Sequence, residues 1–443
     1  MLLTTASDET EPTFGAFTDH PLRQEVNDEV HARPYEVLKA PLRITHLAML
    51  SGRHGAERDH AAVTDLCQRF GVEPPAPGAH HLSADFGKFR LKWERRTEFS
   101  TYTFFVEGEF DDPFAAPAID AVPRNWLDTV PGPRLVGIHL ALEPAWYVPR
   151  SVGEIVDLFA MNTVLGSHIT GGAARIWTDF CIHDDGFSRI LVRDVRLRER
   201  QAGRAVQRLL EVETYRMMAL LAFPVVRRAN PRLTEIEEQL AGITEDLTSS
   251  AASDERALLD SLSELAAQVE RINNRTHYRF NAAMAYHALV RKRIEELREE
   301  RIQGLQTIDE FMDRRLAPAM RTCRTVMERL EALSRRISRT GNLLRTRVDV
   351  ALEAQNRDLL EAMNRRARLQ FRLQETVEGL SVAAISYYLM GLVGYLLKAG
   401  QDVGLPVRVE LAQGALVPVV VFTVWLLIRF VRTRIARRHR EVA

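Results

Sequence analysis

The densest run of side chains with chemical potential lies near the start of the chain, HPLRQEVNDEVHARP over residues 20–34, followed by APLRITHLAML. His31 and His46, with Glu25, Asp28 and Glu29 beside them, bring together imidazole and carboxylate, which suit a metal or anion site. The spacing matches no recognised ligand pattern, so capping, turn and interdomain hydrogen bonds compete with the metal expectation. His31 and His46 are the candidate metal ligands, a divalent cation is the cofactor class they suggest, and no other cofactor is indicated.

Two further clusters have suitable atoms and poor geometry. Adjacent residues on a strand point to opposite faces, so His80-His81 and His183-Asp184-Asp185 do not chelate easily and read as surface features. GSHITGGAA, residues 166–174, offers backbone amides for a phosphate but lacks the Lys-Ser/Thr ending of a phosphate-binding loop, and reads as a turn between strands. No G-x-S-x-G and no H-E-x-x-H occurs, and no cysteine stands beside a credible base. Catalytic residues are therefore not assigned, and an enzyme is not the expectation. Cys67, Cys181 and Cys323 are scattered, as in a reducing compartment, and read as buried thiols.

The elements that must position these groups divide the chain by pattern. From residue 43 to 197, the segments RITHLAML, FGKFRLKWE, STYTFFVEG, RLVGIHLAL, ARIWTDFCIH and FSRILVRDV show strand-like alternation or β-branched and aromatic enrichment. Pro74-Pro75-Ala76-Pro77-Gly78, Pro131-Gly132-Pro133 and Asp184-Asp185-Gly186 punctuate them, and a helix from Val152 to Leu165 lies between two of them. The fold class expected is α+β: an N-terminal mixed-sheet α/β domain over residues 1–199, a helical stalk over 200–378 and a C-terminal two-helix transmembrane hairpin over 379–430, with a basic tail at 431–443. In the stalk a helix closes near Pro224, Ala229-Asn230-Pro231 breaks the pattern, and Ser253 or Asp254 can cap a longer helix. Leu316, Met320, Cys323, Met327, Leu330, Ile337, Leu344 and Val348 then recur in steps of three and four, a helical-hairpin or coiled-coil signal.

The C-terminal apolar runs are the strongest signal. Residues 379–397 and 411–428 are free of charge, and at about 1.5 Å per residue each spans roughly 27 to 29 Å, close to the hydrocarbon thickness of a bilayer. Arg366, Arg368 and Arg372 precede the first run, and Arg429, Arg432 and Arg434 follow the second, which places both ends in the cytoplasm by the positive-inside rule. The start of the chain turns acidic at Asp8, Glu9 and Glu11 and lacks a secretory signal, so the body is expected to be cytoplasmic and the chain to sit in the bacterial inner membrane. Within the first run Ser381, Tyr388 and Tyr395 form a stripe that is the pore-lining candidate. Ala384, Gly391 and Gly394 supply small residues for helix packing. Lys+Arg 59 balance Asp+Glu 59, so no overall field selects a nucleic acid.

HPLRQEVNDEVHARP, FRLKWERRTEFSTYTF, GGAARIWTDF, QAGRAVQRLLEVETYRMMALLAF and GLSVAAISYYLMGLVGYLLKAG together resemble a bacterial family of membrane-anchored proteins, the domain of unknown function numbered 3422, over almost the whole chain. That resemblance implies location and architecture and assigns no activity. The order of elements is also similar to that of the CorA magnesium transporters, homopentamers whose first span lines a pore. Their Gly-Met-Asn filter is absent here, with Leu396-Leu397-Lys398-Ala399-Gly400 in its place. The functional expectation is a homo-oligomer in which a cytoplasmic sensing or binding domain is coupled through the stalk to the membrane hairpin, as a CorA-like ion conduit. The alternative is a non-conducting scaffold that recruits cytoplasmic protein partners to the bilayer.

Overall fold

The computed structural model describes residues 20–24, 26–27, 35–52, 54–248, 255–402 and 408–440. In chain order the elements are β1 (Leu42–Met49), α1 (Ala56–Phe70), β2 (His81–Asp85), β3 (Arg90–Arg95), β4 (Ser100–Glu107), a 3-10 turn (Ala118–Ala121), α2 (Arg124–Leu127), β5 (Arg134–Glu143), α3 (Val152–Leu158), β6 (Leu165–Ile169), β7 (Ala174–Thr178) and β8 (Ser188–Asp194). Then follow α4 (Glu199–Leu220), α5 (Phe223–Thr248), α6 (Glu255–Leu297), β9 (Glu300–Arg301), α7 (Ile308–Asp402) and α8 (Val409–Arg440). The chain forms two compact units, Met1–Gly341 and Asn342–Ala443.

In the first unit, a nine-stranded mixed sheet runs in the order β2-β3-β4-β1-β5-β8-β7-β6-β9. Its pairings are antiparallel except for β5 with β8, whose parallel pairing requires a crossover; α3 and the β6–β7 hairpin supply it. Strand alternation then sorts side chains by face. Leu91, Trp93, Tyr102 and Phe104 point to the side covered by α1, where Val63, Leu66 and Trp126 complete an apolar core. Lys92, Glu94, Thr101 and Thr103 point to the other side, towards α4. β1 has all but one of its residues buried; most are apolar, and the buried polar pair Thr45 and His46 have partners in His139 at 3.0 Å and Thr103 at 2.8 Å.

The tip of the β3–β4 hairpin is pinned by charge. Asp59 of α1 is fully buried; its Oδ2 accepts from Ser51 Oγ at 2.6 Å and Ser100 Oγ at 2.7 Å and lies 3.2 Å from Arg95 Nε. On the opposite side Glu98 accepts from Arg279 Nη2 at 2.6 Å and from the Tyr286 hydroxyl at 3.0 Å, which fixes α6 to the hairpin.

The start of α7 is also tied to the sheet. Glu299 accepts from Ser167 Oγ of β6 at 2.5 Å, Ile308 N at 3.0 Å and Asp309 N at 2.9 Å, so one carboxylate satisfies two of the free amides at the helix end. Thr307 and Glu310 add a reciprocal capping box, Glu310 N to Thr307 Oγ1 and Thr307 N to Glu310 Oε2, both at 3.2 Å. Burial raises the Glu299 carboxyl above its ordinary pKa in spite of these donors. Leu316, Met320, Cys323, Leu330 and Ile337 are buried as their spacing predicts, and Arg329 reaches across to Glu237 of α5 at 2.7 Å.

The second unit contains the rest of α7 and α8. Both helices carry windows long and apolar enough to cross a membrane, and most residues of those windows are exposed. Ser386, Gly394, Val420 and Val424 are buried, and the side chain of Gln413 occupies the space where a Cβ on Gly394 would stand.

Three differences from the sequence pattern have physical causes. α5 continues through Ala229-Asn230-Pro231: Ala229 and Leu233 on either side of the proline are buried, and that packing outweighs the lost hydrogen bond. α3 ends at Leu158 instead of Leu165, because Phe159 turns into a core with Phe114 and Val164 and the next two residues, Ala160 and Met161, take positive φ of 52° and 62°. β2, β6 and α1 are too short or too polar at their edges to stand out: β2, for instance, alternates exposed and half-buried residues along its whole length.

Candidate functional site

The polar face of the sheet meets α4 around a partly open cavity of about 40 Å³. Its floor is His46 of β1, its walls are Thr101 and Thr103 of β4 and Lys92 and Glu94 of β3, and its roof is α4 from Gly203 to Tyr215. Room for this arrangement depends on Gly203. The backbone of Glu36 crosses α4 at that residue, with its carbonyl where a Cβ would be, and Leu38 N donates to Glu199 O at 3.2 Å beside the crossing.

His46 is held from both sides. Its Nδ1 lies 2.8 Å from Thr103 Oγ1 and its Nε2 3.2 Å from Thr214 Oγ1. Thr214 gives its own hydroxyl proton to Leu210 O at 2.8 Å, so its oxygen accepts from His46. That assigns the proton of the neutral ring to Nε2 and leaves Nδ1 accepting from Thr103. Burial pulls the His46 pKa down to about 4, with Lys92 and Arg96 lowering it further against the opposing pull of Glu94. At neutral pH the ring is uncharged and its two nitrogens have hydroxyl partners.

Around this neutral floor the charges are paired. Lys92 Nζ lies 3.3 Å from Glu94 Oε1 and donates to Gln207 Oε1 at 3.2 Å. Arg96 bridges Glu94 at 3.4 Å and Glu211 at 4.0 Å. Glu211 also accepts from Gln207 Nε2 at 3.0 Å and forms a close pair with Arg293 of α6. Arg293 in turn meets Glu296 at 3.0 Å, and Glu296 meets Arg208 at 3.1 Å. Tyr215 stacks on Tyr286 with ring centroids 5.7 Å apart; burial, then the neighbouring Glu211, pushes its hydroxyl pKa up and keeps it a hydrogen-bond donor. The cavity lining thus combines hydroxyl, ammonium, guanidinium and carboxylate groups that pair with one another and the apolar side chains of Leu38, Phe99, Phe105, Val206 and Leu210.

Of the residues singled out from sequence, His46 is at the centre of this cavity. His31, Glu25, Asp28 and Glu29 lie outside the described residues. Among the described residues no group of three or more metal-ligating side chains comes together. GSHITGGAA forms the end of β6, a turn at Thr170-Gly171-Gly172 with positive φ, and the start of β7. Two expectations need correction. The His183 side chain is no surface feature, because its Nε2 packs 2.9 Å from the buried Asp179 Oδ2 with only 4% of the imidazole exposed. Cys181 is exposed while Cys67 and Cys323 are buried, because the chain leaves β7 there and the Asp179 carboxylate accepts from Cys181 N at 3.1 Å in a surface turn.

In the second unit Gly394 sits on the seam between α7 and α8, whereas Ala384 and Gly391 are exposed. Ser381 is half-buried, and Tyr388 and Tyr395 are exposed on the side of the helix away from that seam. Arg366, Arg368 and Arg372 are exposed on α7, and Arg429 lies over the Trp425 ring at 5.0 Å. Arg432 and Arg434 are on α8, with side chains outside the described set.

Sequence reasoning missed Lys92, Glu94, Glu211 and Thr214. A signal for the first two was present: in FRLKWE, Lys92 and Glu94 alternate with Leu91 and Trp93, the pattern of a strand with a polar face inside a folded unit. Thr214 and Glu211 sit on an apolar helix stripe among Leu210 and Tyr215, where polar residues need partners.

A nine-stranded mixed sheet layered by helices, a small cavity under α4 and a C-terminal pair of apolar helices define an α+β protein with two helices long enough to cross a membrane. The family described as Protein of unknown function (DUF3422) matches residues 18–435, and the chain belongs to that family. No curated protein and no solved structure matches it, and the resemblance to CorA is not supported.

Proposed function

We propose that this chain is a bacterial inner-membrane protein whose α+β unit faces the cytoplasm and binds a small polar ligand or a cytoplasmic partner at the cavity under α4. Residues 379–397 and 411–428 cross the bilayer as a hairpin, with Arg366, Arg368, Arg372, Arg429, Arg432 and Arg434 holding both ends inside. The observation that carries this is the exposure of Leu392, Leu396, Leu411, Phe422 and Leu427, all apolar, on helices whose seam uses only one side of each. Leaving such side chains in water costs about 1.5–3 kcal/mol apiece relative to an apolar environment, and a bilayer provides that environment. The test is a reporter active only in the cytoplasm, fused after Ala443, together with carbonate extraction of membranes. A signal from a carbonate-resistant fraction is expected; a silent reporter on a chain that is made, or a soluble chain, refutes the assignment.

A second function, an ion conduit between copies, draws on the stripe of Ser381, Tyr388 and Tyr395 facing away from the hairpin seam. Purified chain in liposomes then passes ions, and Tyr388→Ala alters the flux.

A further inference from the structure

The base of the hairpin carries charge that its two helices do not neutralise themselves. On a helix a carboxylate reaches a guanidinium three or four positions away. Arg365 has Glu361 at that spacing and Arg372 has Glu375, but Arg366 and Arg368 have no carboxylate there. Nor do Arg429, Arg432 and Arg434 on α8, where no acid stands between Glu410 and Glu441 and six arginines crowd residues 429–440. Counting equal steps down both helices from the contact of Gly394 with Gln413 brings Glu378 level with Arg429 and Glu375 level with Arg432. Arg372 and Arg368 come level with the run from Ile435 to Arg440, so beyond those two glutamates cation stands beside cation. Over residues 361–378 and 429–441 ten arginines meet four glutamates, an excess of six positive charges.

Resting on the membrane anchoring proposed above, we infer that this base is a binding surface for anionic phospholipid headgroups, centred on Arg432 and Arg434 of α8 with Arg368 and Arg372 of α7. Like charges held together need counter-anions, and at this height a bilayer supplies them. At about 1.5 Å per residue, Arg432 and Arg434 stand roughly 6 and 9 Å beyond Ile428, the end of the second apolar run, which is the depth at which headgroups lie. The arginines that keep both ends inside by the positive-inside rule thus have a second role once they are there.

The distribution of the charge favours lipid over a soluble anion or a docked protein. At about 100° per residue the six arginine positions of α8 fall round the whole circumference of the helix, with no gap wider than about 120°. A protein partner meets one side of a helix, whereas headgroups surround it. A guanidinium fork matches two phosphate oxygens, and the phosphate of a phospholipid is the group found at this depth. A zwitterionic lipid brings its own cation to that phosphate, so an excess of six positive charges selects headgroups of net negative charge. Arg429, whose guanidinium lies over the Trp425 ring at 5.0 Å, joins this charged layer to the apolar run and places an indole beside it.

The test uses Trp425 as its reporter. Full-length chain is reconstituted in vesicles of equal parts phosphatidylcholine and phosphatidylglycerol, with the acyl chains of one lipid or the other brominated, and the fluorescence quenching that Trp425→Phe removes is read. Phosphatidylglycerol should bind about fivefold more tightly than phosphatidylcholine around α8, and added KCl should lower that ratio. Arg432→Gln with Arg434→Gln and Arg437→Gln should bring it close to parity. Lysine at the same three positions should keep it, as should Arg314→Gln with Arg315→Gln and Arg321→Gln, which remove equal charge from exposed positions of the first unit. Equal quenching by the two lipids overturns the inference and leaves the anchoring standing, and so does a preference that the three glutamines leave untouched. Loss of the preference in inorganic phosphate, at an ionic strength where KCl preserves it, overturns the inference in favour of a soluble anion. Absence of quenching by either lipid defeats the anchoring as well.

Discussion

The unit ending at Gly341 and the unit that follows it treat their side chains in opposite ways. In the first, key polar groups that leave water find partners in the same chain: His46 between two threonines, Asp59 Oδ2 among two serines and an arginine, Glu299 on the amides of α7. In the second, leucines, tyrosines and phenylalanines remain open along the helices. A polar group can be satisfied by one well-placed atom, but an apolar helix needs a continuous apolar surface, and a chain that provides none implies a surrounding that does. The contrast separates a unit whose buried polar groups close on one another from two helices long and apolar enough to cross a membrane.

If the first unit is as closed as its geometry implies, small insults there should be costly. Gly203→Ala places a methyl on the Glu36 carbonyl, backbone against backbone, and should cost roughly 3–5 kcal/mol of stability, read as a lower urea midpoint. Next in size is a pH effect. His46 and His139 both have pKa values lowered to about 4, mainly by burial, against an unfolded value of 6.5. Their folded rings are neutral while the unfolded chain takes up protons near pH 6.5. Stability is therefore complete above that pH and falls as pH drops towards 4, by up to about 3 kcal/mol per histidine. Urea midpoints at pH 7 and pH 5 should differ in that direction, and His46→Gln should reduce the difference.

Glu211→Ala comes third. It leaves Arg293 and Arg96 without a shared carboxylate at a partly buried site and should cost about 2 kcal/mol, with Glu211→Gln milder because the amide still accepts from Arg293. The smallest effect is expected in the second unit. Gly394→Ala displaces only the flexible end of Gln413 and should change stability by less than about 0.5 kcal/mol. If Gly394→Ala proved as damaging as Gly203→Ala, the hairpin would be as tightly packed as the sheet, and the contrast between the units would fail.

Much of this architecture could be read along the chain. Alternation in RLKWER and STYTFFVE marked strands, the steps from Leu316 to Ile337 marked a buried helix face, and two uncharged runs marked the C-terminal helices. These signals are local: strand and helix periods are set within a few residues, and hydropathy is a sum over neighbours. His46 was visible as a candidate, but its surroundings were not. Its two hydroxyl partners stand 57 and 168 positions away, on a strand and a helix that only the sheet order brings together. Position along the chain decided which segments are strand, helix or apolar. Which polar side chains share a cavity, which histidine ring stays neutral and which face of α7 is left bare were decided by tertiary packing, because those outcomes depend on distances between residues that the linear order does not constrain.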